Sequence, residues 1–114
     1  MTRLCDTVMV LHDFTVGERS TMTEQKIQEK IMVWLRLNGF VCNKTIGMSK
    51  AGWPDIICCF KSRFVGLEVK RPGQKATKLQ EYKLKELADA GGIVGVVTSV
   101  EEASQLVHEL GSDI

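Results

Sequence analysis

Residues 52–70 read GWPDIICCFKSRFVGLEVK. Asp55 opens an unbroken apolar run, Ile56 to Phe60, of the kind buried on both faces of a sheet. Lys61-Ser62-Arg63 turns the chain. Phe64 to Lys70 then forms a second strand that folds back on the first as an antiparallel hairpin. Side chains two apart on a strand share a face. Glu68 and Lys70 therefore point one way, and Leu67 and Val69 point into the core. Asp55 sits at the start of the partner strand, at the end nearest Lys70. The hairpin thus gathers two carboxylates and an ammonium at one end of a sheet.

The flanking sequence supplies the rest of an α/β domain. Ile27, Ile31, Trp34 and Leu35 recur at helical spacing and predict a helix from about Met22 to Asn38, stopped by Gly39. Phe40 to Ile46 reads as a strand, and Gly47-Met48-Ser49-Lys50-Ala51-Gly52 as a loop. Beyond the hairpin, Pro72 and Gly73 break the ladder. Thr77 and Gln80 form a T-x-x-Q capping box for a helix over about Lys78 to Ala90. Gly91-Gly92 ends it, and Ile93 to Thr98 is a fourth strand. Ser99 and Glu102 open a last helix, with Val100, Ala103, Leu106, Val107 and Leu110 on one face. The order is α-β-β-β-α-β-α. A helix between the third and fourth strands implies a parallel crossover, hence a four-stranded mixed sheet flanked by helices. Residues 1–20 show no clear period and read as an N-terminal extension to a domain over residues 21–114.

The chain of 114 residues is one domain by length. With 44% hydrophobic and 25% charged residues it is not a disordered chain. No apolar run approaches the roughly 20 residues of a membrane span. Asp6 interrupts the short apolar start, so a signal peptide is not expected and a cytoplasmic location is. Net charge is only +1, but it is unevenly placed. Between Lys61 and Lys85 eight basic residues meet only two acids, Glu68 and Glu81, so the rest of the chain is net negative. Such a basic face suits a polyanion; a solvated lysine-rich helix and loop would read the same way. Cys5, Cys42, Cys58 and Cys59 form no C-x-x-C pair and read as free thiols rather than a zinc site.

Asp55, Glu68 and the Val69 carbonyl offer oxygen to a hard divalent cation such as Mg²⁺. Such an ion stabilises charge on a scissile phosphate and acidifies a bound water. Lys70 would orient that water or the phosphate. A bare E-x-K pair fits an exposed salt bridge equally well. The joint pattern of helix, G-x-P-D strand, hairpin, E-x-K and basic helix favours chemistry.

That joint pattern resembles the VRR-NUC domain, a virus-type replication-repair branch of the PD-(D/E)xK nucleases. The residues that carry the resemblance are Thr23-Glu24, Gly52-Trp53-Pro54-Asp55, Phe64 to Gly73, Gln80 and Ala90-Gly91-Gly92. They span residues 22–105. The resemblance implies a restriction-endonuclease-like core and Mg²⁺- or Mn²⁺-dependent hydrolysis of DNA phosphodiesters. It implies a phage or prophage protein in a bacterial host, acting as a homodimeric Holliday junction resolvase in DNA repair. Asp55, Glu68 and Glu24 match the metal-binding acids, Lys70 the catalytic lysine, and Gln80 a glutamine that reaches the site from the second helix. Glu24 also fits a T-x-x-E cap with Thr21, and Gln80 fits its own box, so chemistry and capping both stay open for them. Gln28 shares the Glu24 face, and Glu29 does not. Leu84 stands where some branches carry a tyrosine. Lys61, Arg63, Arg71, Lys75, Lys78 and Lys83 are the expected phosphate contacts, and Trp53 the one aromatic beside the site. A flap or single-strand nuclease with the same chemistry, or a branched-DNA binder that does not cut, are the alternatives.

Overall fold

The computed structural model describes residues 22–46 and 51–110. The 1–20 extension, Thr21 and positions 47–50 of the glycine loop lie outside the described residues. Helix α1 (Glu24–Leu37) leads to strand β1 (Val41–Lys44), the hairpin β2 (Ile56–Phe60) and β3 (Arg63–Val69), then helix α2 (Lys78–Asp89), strand β4 (Ile93–Val97) and helix α3 (Val100–Leu110). The expected α-β-β-β-α-β-α order is borne out. The sheet runs β1-β2-β3-β4, with β1–β2 and β2–β3 antiparallel and β3–β4 parallel. The fold is a four-stranded mixed sheet flanked by helices, as a restriction-endonuclease-like core requires.

One sheet face carries the core. Ile56, Cys58, Val65, Leu67, Val69, Ile93 and Val97 lie against Ile27, Ile31, Trp34 and Leu35 of α1 and Val100, Ala103 and Val107 of α3. The helical stripe of α1 therefore does what its spacing dictates. Helix α2 packs against β4 with no fully buried side chain, so the opposite face is thinly covered. On that opposite face Glu68 is buried and Lys70 is partly exposed.

Local chemistry sets the ends of the elements. Thr23, not Thr21, caps α1: its Oγ1 accepts from the Lys26 N–H at 3.2 Å. Glu24 is then the first helical residue, and the expected pairing of Glu24 with Thr21 lies outside the described residues. The α2 capping box forms as expected: Thr77 Oγ1 accepts from Gln80 N at 3.2 Å, and Gln80 Oε1 from Thr77 N at 2.8 Å. At α3, Ser99 Oγ accepts from Glu102 N at 3.1 Å, but the Glu102 carboxylate reaches one residue further back, to Thr98 N at 2.7 Å. The hairpin turns through Lys61 and Ser62 alone, with φ of 50° and 68°. Two central residues with positive φ make a primed turn, whose twist matches the strands.

Candidate active site

Asp55 is placed by the strand it precedes. Thr45 N donates to the Asp55 carbonyl at 3.0 Å, and Thr45 Oγ1 donates to the Pro54 carbonyl at 2.8 Å. Pro54 lies over Gly66 of β3, where a Cβ would meet Pro54 Cγ at 2.8 Å. Gly52, with φ of +93°, presses on Leu79 of α2. The G-x-P-D segment is thus wedged between β3 and α2. The result is a direct bond from the backbone of the facing strand: Val69 N–H donates to Asp55 Oδ2 at 2.9 Å.

Glu68 is only 2% exposed. Its Oε2 lies 3.5 Å from Lys70 Nζ, and its Oε1 accepts no hydrogen bond from the described residues. Burial first, and the Asp55 carboxylate beside it second, push its pKa up to about 7, with Lys70 offsetting part of the rise. Two carboxylates at this spacing resist full ionisation together. The sequence reading of one end of the sheet holding Asp55, Glu68 and Lys70 is what the structure shows.

Such a site has the donor set of a hard divalent cation. It offers oxygen alone, it concentrates negative charge, and Oε1 is buried without a partner, a state that costs free energy unless something binds there. Asp55, Glu68 and the Val69 carbonyl are the groups that would hold the ion. Among the described residues no three His, Cys, Asp or Glu side chains form a metal-binding group. Glu24 therefore stands off from the carboxylate pair. It does line an open pocket of about 420 Å³ together with Gln25, Gln28, Lys44, Thr45, Ile46 and Asp55. Glu24 and Gln28 share that pocket, as i, i+4 spacing requires.

The other expected site residues divide into two groups. Arg71, Lys75 and Lys78 are exposed on the segment that leaves the site. Lys61, Arg63, Lys83 and Gln80 hold structural contacts. Lys61 Nζ lies 5.5 Å from the Phe60 ring, and Arg63 Nε donates to the Gly91 carbonyl at 3.1 Å. Lys83 pairs with Glu86 at 2.6 Å and lies 5.1 Å from the Trp53 ring. The Gln80 carbonyl oxygen closes its helix cap, which leaves the amide nitrogen outside the cap. Sequence reasoning missed Lys44 and Thr45 at the pocket. The only signal for Lys44 is its period-2 spacing from Cys42, and nothing in sequence marks Thr45 as the brace of Asp55.

No family model matches the chain, and no curated protein matches it. Solved structures do. The chain is similar to a structure described as a VRR_NUC domain, with a TM-score of 0.66 and 21% identity over 75% of this chain and 94% of that one. A second, described as a VRR_NUC domain protein, has a TM-score of 0.67 and 22% identity over 81% and 93% of the two chains. The class defined by the element order is a restriction-endonuclease-like α/β domain. Within that class, the chain has the fold of VRR_NUC domains, as the resemblance of its motifs implies.

Proposed function

We propose that the chain is a divalent-metal-dependent nuclease that hydrolyses DNA phosphodiester bonds, with Asp55, Glu68 and Lys70 as its catalytic residues. The observation that carries this reading is the buried Glu68 carboxylate set against Asp55, with Lys70 at 3.5 Å and one oxygen unpartnered. A buried acid set against a second acid is costly for stability, and such arrangements gather at functional sites. When bound, Mg²⁺ or Mn²⁺ would supply charge for the scissile phosphate and lower the pKa of a bound water. Asp55 is held for this by the Val69 amide. Glu68 shares the negative charge. Lys70 offers a donor to the attacking water or to a phosphate oxygen, and is no ligand itself. Glu24 and Gln28 serve through the adjoining pocket, and the Gln80 amide nitrogen faces substrate from α2.

The preferred substrate in this reading is branched DNA, cut by a homodimer. Two sites related by a two-fold axis match the symmetry of a four-way junction and give paired nicks. Arg71, Lys75 and Lys78, exposed beyond Lys70, would hold phosphates, with Lys61, Arg63 and Lys83 at the margin. The test compares labelled four-way junction, flap and linear duplex, each with Mg²⁺, with Mn²⁺ and with EDTA. Paired metal-dependent nicks in the junction support the resolvase. Cutting of flaps or single strands keeps the chemistry and discards that role. No cutting by folded protein leaves a DNA-binding module.

A further inference from the structure

A second reactive site lies on the β1–β2 ladder, and it stands apart from the nuclease reading. Cys42 and Cys58 are direct cross-strand partners. Thr45 N donates to the Asp55 carbonyl, which makes Thr45 and Asp55 a hydrogen-bonded pair. Antiparallel ladders alternate, so Asn43–Ile57 is hydrogen-bonded and Lys44–Ile56 and Cys42–Cys58 are not. Non-hydrogen-bonded partners have Cα atoms about 4.5 Å apart, with side chains close on one face. That separation falls inside the range a disulfide spans, about 4.4–6.8 Å. Each thiol acts on the other's ionisation, as neighbouring side chains on one face do.

The pair is also graded in access. Cys42 is half-buried and Cys58 is buried. The Arg36 guanidinium lies beside Cys42 and favours its thiolate, against the larger effect of burial. One thiol is thus reachable and the other is placed to resolve.

We propose that Cys42 and Cys58 form a dithiol site that a low-molecular-weight disulfide oxidises to an intramolecular cross-strand bridge. The Cys42 thiolate attacks one sulfur of the small disulfide, forming a mixed disulfide and expelling one small thiolate. Burial holds Cys58 in its thiol form, so it attacks the Cys42 sulfur as its proton passes to the departing small thiolate, which leaves as the second small thiol. Two electrons pass from the cysteine pair to the small disulfide, and the two thiol protons leave on the two small thiols. The bridge closes a loop over residues 43–57, which contains Thr45 and Asp55. It ties the edge strand β1, the support of Asp55, covalently to β2.

The test uses the full chain with Cys5→Ser and Cys59→Ser, so that only the pair remains. Folded protein is incubated with oxidised glutathione, and free thiols are then alkylated in denaturant. The expected product is an unalkylated monomer lighter by two hydrogen atoms, with the bridge mapped by proteolysis to Cys42 and Cys58. Its melting temperature rises by several degrees and returns on reduction. With Cys58→Ala added, glutathione stops at a stable adduct on Cys42. A stable glutathione adduct on Cys42 with Cys58 present, or a bridge only between chains, would overturn the proposal. So would alkylation of both thiols after exposure that saturates an unfolded control.

Discussion

Glu68 is the residue where stability and proposed function conflict. A carboxyl group that titrates near 7 in the fold and near 4.5 when unfolded favours the folded state most in its protonated form. Its contribution is complete below pH 4.5 and is lost as pH rises through about 7. The loss is on the order of 3 kcal/mol in metal-free protein. Metal-free wild type is expected to melt several degrees lower at pH 8 than at pH 5. Glu68→Gln keeps the shape and removes this titration, so its melting temperature should hold across that window and exceed wild type at pH 8. Parallel melting curves for the two proteins would show that Glu68 is not the strained group. The same variant should lose metal-dependent cleavage and still bind a DNA junction. Lys70→Ala should do likewise, since Lys70 supplies a donor but little core. Loss of binding together with folding would make either residue structural.

Short elements place those side chains, and they can be tested one at a time. Gly66 lets Pro54 lie on β3, so Gly66→Ala should displace Asp55 from the Val69 amide. Misplacement of that order costs about 10²-fold in rate. Expected is a steep fall in cleavage with a modest fall in melting temperature; unchanged cleavage would free Asp55 from dependence on this contact. The hairpin turn gives the opposite case. Ser62 has φ of 68°, and Ser62→Gly should stabilise the fold by about 0.5–1 kcal/mol in chemical denaturation. A loss of stability there would mean that the serine side chain holds the turn.

At this scale the sequence was a good guide to what repeats and a poor one to what touches. The α1 stripe and the Thr77–Gln80 box are local patterns, and each forms as read. The apolar run of β2 forms its strand but is buried on one face only, with Ile56 and Cys58 in the core and Cys59 exposed, because an unbroken run shows no alternation to reveal the open face. The hairpin pleat was enough to join Glu68 to Lys70 and to bring Asp55 near. Contacts made across chain distance left no such trace. Nothing local sets Pro54 on Gly66 or braces Asp55 with Thr45. Lys83 looks like a free cation in sequence, whereas it lies between Glu86 and Trp53.

Among the described residues the helices cover the two faces of the sheet unequally. Helices α1 and α3 seal one side of the sheet, while α2 covers the other without burying a side chain. The described residues contain no helix long and apolar enough to cross a membrane. Arg71, Lys75 and Lys78 follow directly from the site toward α2. Reversing Lys78 to Glu should weaken binding of all DNA sequences alike and lower the salt slope by about one phosphate contact. An unchanged slope would remove this segment from the DNA path. Lys83→Glu should cost more stability and change the slope less, because its ammonium already has partners.

The central claim is that Asp55, Glu68 and Lys70 hydrolyse DNA with a divalent cation. It is tested most directly by cleavage of end-labelled DNA with wild type and Asp55→Ala, each with Mg²⁺ and with EDTA, with folding of both checked by melting. The account predicts product only for wild type with metal, and none for the folded variant under either condition. Equal cleavage by Asp55→Ala, or wild-type cleavage that persists in EDTA, would contradict it.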